Sequence, residues 1–179
     1  SETQWNDGDT IRAAIGQSIN NYAPVHMAKY IATLANGGTR YKYTVLKRQE
    51  SYSGNRVQEF EPITEQQLSI KPENLDAVYK GMRAVIAGTS GTARYAFQDL
   101  PIEVAGKTGT AEENKKKINH TWFVGYAPYD EPLISVAVMI PNGEMPTQPA
   151  AVVAREVIAE YMGLNVPKEE NLMENTLSR

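Results

Sequence analysis

Apolar residues in this chain recur at two different spacings, and the change from one to the other marks out its elements. Met27, Ala28, Ile31, Leu34 and Ala35 follow Pro24 at three- and four-residue intervals, which places them on one face of a helix. Pro24 suits the first turn, where a missing N–H costs nothing, and Asn36-Gly37-Gly38 supplies a stop. Leu75, Val78, Tyr79, Met82, Val85 and Ile86 make a second stripe that opens at Pro72 and ends before Gly88. A third, Val152, Val153, Val157, Ile158, Tyr161 and Met162, runs up to Gly163 and predicts a helix able to cover one face of a sheet.

Elsewhere the period shortens to two. Tyr41, Tyr43 and Val45 alternate with polar residues, and Ser53-Gly54-Asn55 separates them from Val57 to Phe60, which predicts a hairpin. Further strands are predicted at Glu103 to Thr110, Thr121 to Tyr126 and Leu133 to Ile140, the last two joined through Pro128-Tyr129-Asp130-Glu131-Pro132. Connections that short favour antiparallel neighbours. Gly88-Thr89-Ser90-Gly91-Thr92-Ala93 has the composition of a mobile loop. Pro167 to Arg179 is polar and expected to fray, dividing the chain into a folded part, 1–166, and a tail, 167–179. The fold class is α+β: an antiparallel sheet backed by helices.

Composition narrows the chemistry. Apolar residues make up 41% and charged residues 22% of 179, an ordinary balance for a globular chain. A net charge of −3 gives no reason to expect a nucleic-acid partner, and zero cysteines exclude disulfides and thiolate zinc sites. Two well-separated histidines leave little for a transition metal, and no cofactor is indicated. The chain has no apolar run of about 18 residues and no signal-peptide pattern at Ser1-Glu2-Thr3-Gln4-Trp5. Its first residues read as a cut through a longer protein, so any membrane anchor is expected outside this chain.

The candidate chemistry sits at Lys107-Thr108-Gly109-Thr110. An ammonium, two hydroxyls and a residue without Cβ on one strand edge are a way to hold a carboxylate beside a reacting carbonyl. The rival is a phosphate-binding loop ending in Gly106-Lys107-Thr108, which needs glycine where Pro101 stands and a helix where Gly109-Thr110 follow.

Ala105 to Glu112, followed by Trp122-Phe123-Val124-Gly125-Tyr126-Ala127-Pro128, resembles the third active-site motif and next strand of penicillin-binding proteins. Upstream, Gly8-Asp9-Thr10, Ile15-Gly16-Gln17 and Leu34-Ala35-Asn36-Gly37-Gly38 occur in the order seen in class B members of the penicillin-binding protein 2 type. Over roughly residues 5–165 the chain is similar to the C-terminal part of their transpeptidase domain, whose fold is that of the serine β-lactamases. The resemblance implies a D,D-transpeptidase. In that family a serine of a Ser-x-x-Lys motif attacks the penultimate D-Ala carbonyl of a peptidoglycan stem peptide, an amine resolves the acyl-enzyme, and β-lactams acylate the same serine. It further implies that Lys107 supplies positive charge near the substrate carboxylate, and that Thr108 and Thr110 donate hydroxyl hydrogen bonds to it. Gly109 would let the substrate backbone lie flat, and the Thr110 amide would form half of an oxyanion hole.

Departures from the pattern are as informative as the matches. No serine here is followed three positions later by lysine, so the nucleophile motif is missing. Ser18-Ile19-Asn20 fits Ser-x-Asn formally but directly follows Ile15-Gly16-Gln17, and reads as a polar turn. Ala23-Pro24 replaces the usual Thr-Pro and loses a capping hydroxyl. His120 reads as structural or solvent-facing, Glu112-Glu113 with Lys115-Lys116-Lys117 as a hairpin tip, and Trp122 and Phe123 as sheet packing, while Gly91 and Thr92 are placed along the cleft.

A sheet lacking the strands that precede the nucleophile would expose an edge and an apolar face. The expected partners are therefore an N-terminal segment of the same protein carrying Ser-x-x-Lys and Ser-x-Asn, stem peptides ending in D-Ala-D-Ala, and β-lactams. The expected location is the extracytoplasmic face of the bacterial membrane. Two rivals share the scaffold: a β-lactamase or β-lactam sensor, told apart by whether the acyl-enzyme hydrolyses rapidly, and a non-catalytic module, told apart by the sequence preceding Ser1.

Overall fold

The computed structural model describes residues 5–14, 16, 21–111, 118–144 and 148–164. Helix α1 (Asp7–Ala14) comes first, although no apolar stripe announces it. Its sign is a reciprocal cap: the Asn6 amide donates to the Asp9 carboxylate at 3.1 Å and the Asp9 amide to Asn6 Oδ1 at 3.2 Å. Helix α2 (Pro24–Ala35) begins at the proline as predicted, with no side-chain cap at Ala23. It ends where Gly37 and Gly38 take φ of 80° and 106°, so that the Gly38 amide can bond back to the Thr33 carbonyl at 2.8 Å.

The predicted hairpin is only partly right. β2 (Arg48–Glu50) does pair with β3 (Arg56–Glu59) around Ser53-Gly54-Asn55, but Tyr41 belongs to β1 (Thr39–Tyr41), which pairs instead with β4 (Thr64–Gln67). Tyr43 and Val45 lie in neither strand. Their alternation misled because all of β2, β3 and β4 is exposed, so no buried face enforces a register there.

Helix α3 (Pro72–Ala87) keeps its predicted bounds, and a short α4 (Arg94–Phe97) follows. Strands β5 (Ala105–Ala111), β6 (His120–Ala127) and β7 (Ile134–Ile140) form an antiparallel sheet in the order β5-β6-β7, and α5 (Pro149–Tyr161) closes the described chain.

Successive strand residues point to opposite faces, and the two faces carry two cores. Ala105, Val124 and Tyr126 pack with Ile31 of α2 and Met82 of α3, whereas Phe123 and Val136 pack with Phe97 of α4 and Ala154 and Ile158 of α5. Tyr126 is essentially fully buried; burial pushes its hydroxyl far above the ordinary phenol range, and nearby Tyr129 and Tyr79 add to the shift. The Tyr79 hydroxyl donates to the Leu34 carbonyl and so ties α3 to the end of α2.

The start of β5 is held by an ion pair. Arg83 of α3 meets the Glu103 carboxylate at 2.5 Å, and the Glu103 carbonyl accepts from the Tyr129 amide at 2.9 Å. The Arg83 hydrogen bond, and then its charge, hold the Glu103 carboxyl below its ordinary range, against a smaller opposing effect of burial. A depressed carboxyl stabilises the fold at pH values above its unfolded-state pKa, and that contribution disappears as pH falls through the folded-state value. Urea midpoints of wild type and Glu103→Gln should therefore differ at pH 7 and converge toward pH 3, with wild type losing the advantage. A constant gap across that range would remove the Arg83–Glu103 pair from the account.

Candidate active site

Strand β5 pairs only with β6 among the described strands, so it is an edge. Half of the main-chain donors and acceptors along it face away from β6, where an extended ligand can pair with them. The four residues singled out in the sequence occupy the middle of this edge. Lys107 stands opposite Val124, Thr108 opposite Phe123, Gly109 opposite Trp122 and Thr110 opposite Thr121. Alternation puts Lys107 and Gly109 on the face of α2 and α3, and Thr108 and Thr110 on the face of α5. A ligand lying along the edge therefore meets the ammonium from one side and the two hydroxyls from the other.

Lys107 is exposed, and its Nζ donates to the Thr108 carbonyl at 2.6 Å, folding the side chain along its own strand. At Gly109 a Cβ would come to 3.2 Å from Trp122 Cβ, so glycine keeps this stretch of edge low. Thr108 is half-buried and Thr110 exposed. The Thr108 hydroxyl lies 2.7 Å from that of Thr92.

Thr92 comes from the connection between α3 and α4, which the sequence suggested was mobile. In the structure the segment is folded against α3. The Gly88 amide bonds to the Ala84 carbonyl at 3.0 Å, the Gly91 amide to Gly88 at 2.9 Å and the Ala93 amide to Val85 at 3.1 Å, folding the segment onto the last turn of α3. The small residues that suggested mobility are what allow this close approach. A Cβ at Gly91 would stand 2.4 Å from the Val85 carbonyl oxygen.

His120 faces Ala111 across the ladder, and its Nδ1 accepts from the Asn142 amide at 3.0 Å. With Glu144 N donating to the Asn119 carbonyl at 3.2 Å and Thr121 Oγ1 to the Gly143 carbonyl at 3.4 Å, it clasps the turn after β7 to the start of β6. The reading of His120 as structural agrees with that clasp, whose signal in sequence is no more than Asn142-Gly143. Phe123 is fully buried and Trp122 half-buried, as sheet packing requires. Glu112-Glu113, Lys115-Lys116-Lys117, Ser18-Ile19-Asn20 and the tail 167–179 lie outside the described residues. Among the described residues no helix is long and apolar enough to cross a membrane.

Residues 1–163 match the penicillin binding protein transpeptidase domain. The chain belongs to this family. Among its relatives, peptidoglycan D,D-transpeptidase MrdA of Haemophilus influenzae is 33% identical over 182 aligned positions, which cover 93% of this chain and 28% of the relative. The solved structure of penicillin-binding protein 2B from Streptococcus pneumoniae superposes with a TM-score of 0.77 at 30% identity, covering 92% of this chain and 29% of that one. A likeness of fold extends to penicillin-binding protein A from Mycobacterium tuberculosis, solved as its imipenem acyl-enzyme complex, with a TM-score of 0.71 at 24% identity over 84% of this chain and 33% of that one. These matches place the chain with the class B, penicillin-binding protein 2-like transpeptidase domains and give the mixed helix and antiparallel-sheet fold its name. The chain spans less than a third of the length of the two relatives of highest identity named here, at 28% and 29%.

Proposed function

We propose that this chain is the substrate-carboxylate half of a peptidoglycan D,D-transpeptidase site. The observation that carries the reading is the exposed edge of β5, where Lys107, Thr108, Gly109 and Thr110 stand in the order the family's third motif requires. A stem peptide ending in D-Ala-D-Ala pairs along that edge, with its terminal carboxylate between the Lys107 ammonium and the Thr108 and Thr110 hydroxyls. The Thr110 amide donates to the carbonyl oxygen under attack. A serine on a segment outside this chain forms the ester, the terminal D-Ala leaves with the serine's proton, and the amine of a second strand resolves the acyl-enzyme. A β-lactam presents the same carboxylate beside a strained amide and is trapped at the ester stage. The same outside segment would bring the Ser-x-Asn motif, and a membrane anchor would hold the whole protein at the extracytoplasmic face.

The test is labelling with a fluorescent penicillin. The 179 residues alone should remain unlabelled, and the same chain joined to its upstream segment should take the label. Covalent labelling of the isolated chain would overturn the division of the site, because no serine in it has lysine three positions on.

A further inference from the structure

Thr92 is a side chain that reaches the strand motif from another element, its hydroxyl 2.7 Å from that of Thr108. A hydroxyl has one proton and two lone pairs, so within this pair one group must donate and the other accept. If Thr108 donates, it turns lone pairs toward the edge of β5 and repels an anion. If Thr92 donates, Thr108 keeps its proton for the ligand, and each bond of the resulting O–H···O–H···O⁻ chain polarises the next.

Resting on the reading that residues 107–110 receive a carboxylate, we propose that Thr92 is a positioning residue that directs the Thr108 proton and tunes the site for an anionic ligand. Both hydroxyls stand on rigid supports. Thr108 is laddered against Phe123, and Thr92 is fixed between Gly91, seated against the Val85 carbonyl, and Ala93, which is buried and bonded to that same carbonyl at 3.1 Å. Support of this kind holds a donor in place before the ligand arrives. Thr92 itself is exposed and has no need to touch the ligand.

The experiment compares second-order acylation rates for benzylpenicillin and its neutral methyl ester in the whole protein. Thr92→Val should lower the acid-over-ester rate ratio about tenfold, the scale of a hydrogen bond to a charged group shared across two hydroxyls. Thr92→Ser should stay within about twofold of wild type, and Thr92→Val added to Thr108→Val should cost less than about twofold further, since coupled residues are not additive. Equal slowing of both compounds would make Thr92 a loop anchor only and overturn the proposal, as would an unchanged ratio or full additivity with Thr108→Val. If neither compound acylates wild type, the transpeptidase reading falls and takes this inference with it. An acylated wild type with an unaltered ratio in Thr92→Val sinks the inference alone.

Discussion

Replacing Lys107 with alanine in the whole protein is expected to slow acylation by a fluorescent penicillin about 10²- to 10³-fold, the scale of losing one preorganised charged group at a reacting carbonyl. The melting temperature should stay within about 2 °C of wild type, as for other exposed side chains outside a packed core. The two expectations come from one geometry. Lys107 is exposed at the middle of the edge strand, and its ammonium bonds to the neighbouring Thr108 carbonyl, so little of the fold depends on it. What it contributes is a compact positive charge on the side of the strand opposite the Thr108 and Thr110 hydroxyls. Arginine keeps the charge but spreads it over a planar fork, so Lys107→Arg should recover only part of the rate. Acylation unchanged in Lys107→Ala would remove the ammonium from the site. A rate loss that tracked a lowered melting temperature would reassign Lys107 to stability.

Where a buried face imposed a period, sequence and structure agree closely. The stripes behind Pro24 and Pro72 became helices because each presses one side against the sheet, and β5, β6 and β7 were legible because β6 is buried along most of its length. The last helix also forms, but the face it buries is Ala150, Ala151, Ala154, Ile158 and Ala159, while Val153, Val157 and Tyr161 of the expected stripe are exposed, because small alanines let the helix lie close to the sheet. Where nothing is buried, the period carried no information: the register of β1 to β4 was misread at Tyr41 for that reason. Helix α1 has no buried residue, and its sign lay in the Asn6 and Asp9 cap instead of in apolar spacing. The four strand residues proposed for the site were singled out through resemblance, which says nothing of what packs against them. The order of the segments placed Gly91 and Thr92 along the cleft, but nothing in Gly88 to Ala93 as a string shows that its amides fold back on α3, or that Thr92 meets Thr108. Long-range hydrogen bonds between polar side chains leave no periodic trace in a sequence.

Gly106→Ala and Gly125→Ala should each destabilise the complete domain by about 3 kcal/mol, the upper range for overpacking a core, and only the first should be rescued by trimming Phe123. Gly106 faces Gly125 across the β5–β6 ladder, and the Phe123 ring lies in the space the two glycines leave, 5.2 Å from the Phe97 ring between centroids. A Cβ at Gly106 would stand 2.3 Å from Phe123 Cζ, the far end of a side chain, with the Val124 carbonyl oxygen further off at 2.9 Å, so that trimming the ring removes the worst clash and leaves a lesser main-chain one. At Gly125 the nearest atom would be the Ala105 carbonyl oxygen at 2.6 Å, which belongs to the ladder itself and has nowhere to go. Phe123→Leu in the Gly106→Ala background should therefore restore part of the lost stability, and in the Gly125→Ala background almost none, as read from urea midpoints. The consequence reaches the site because Gly106 immediately precedes Lys107. If the ring is forced outward, β5 must shift against β6, and the rate of acylation should fall in Gly106→Ala even where enough folded protein remains to measure it. Equal rescue of both variants by Phe123→Leu would mean that the ring, and not the Ala105 main chain, limits both positions.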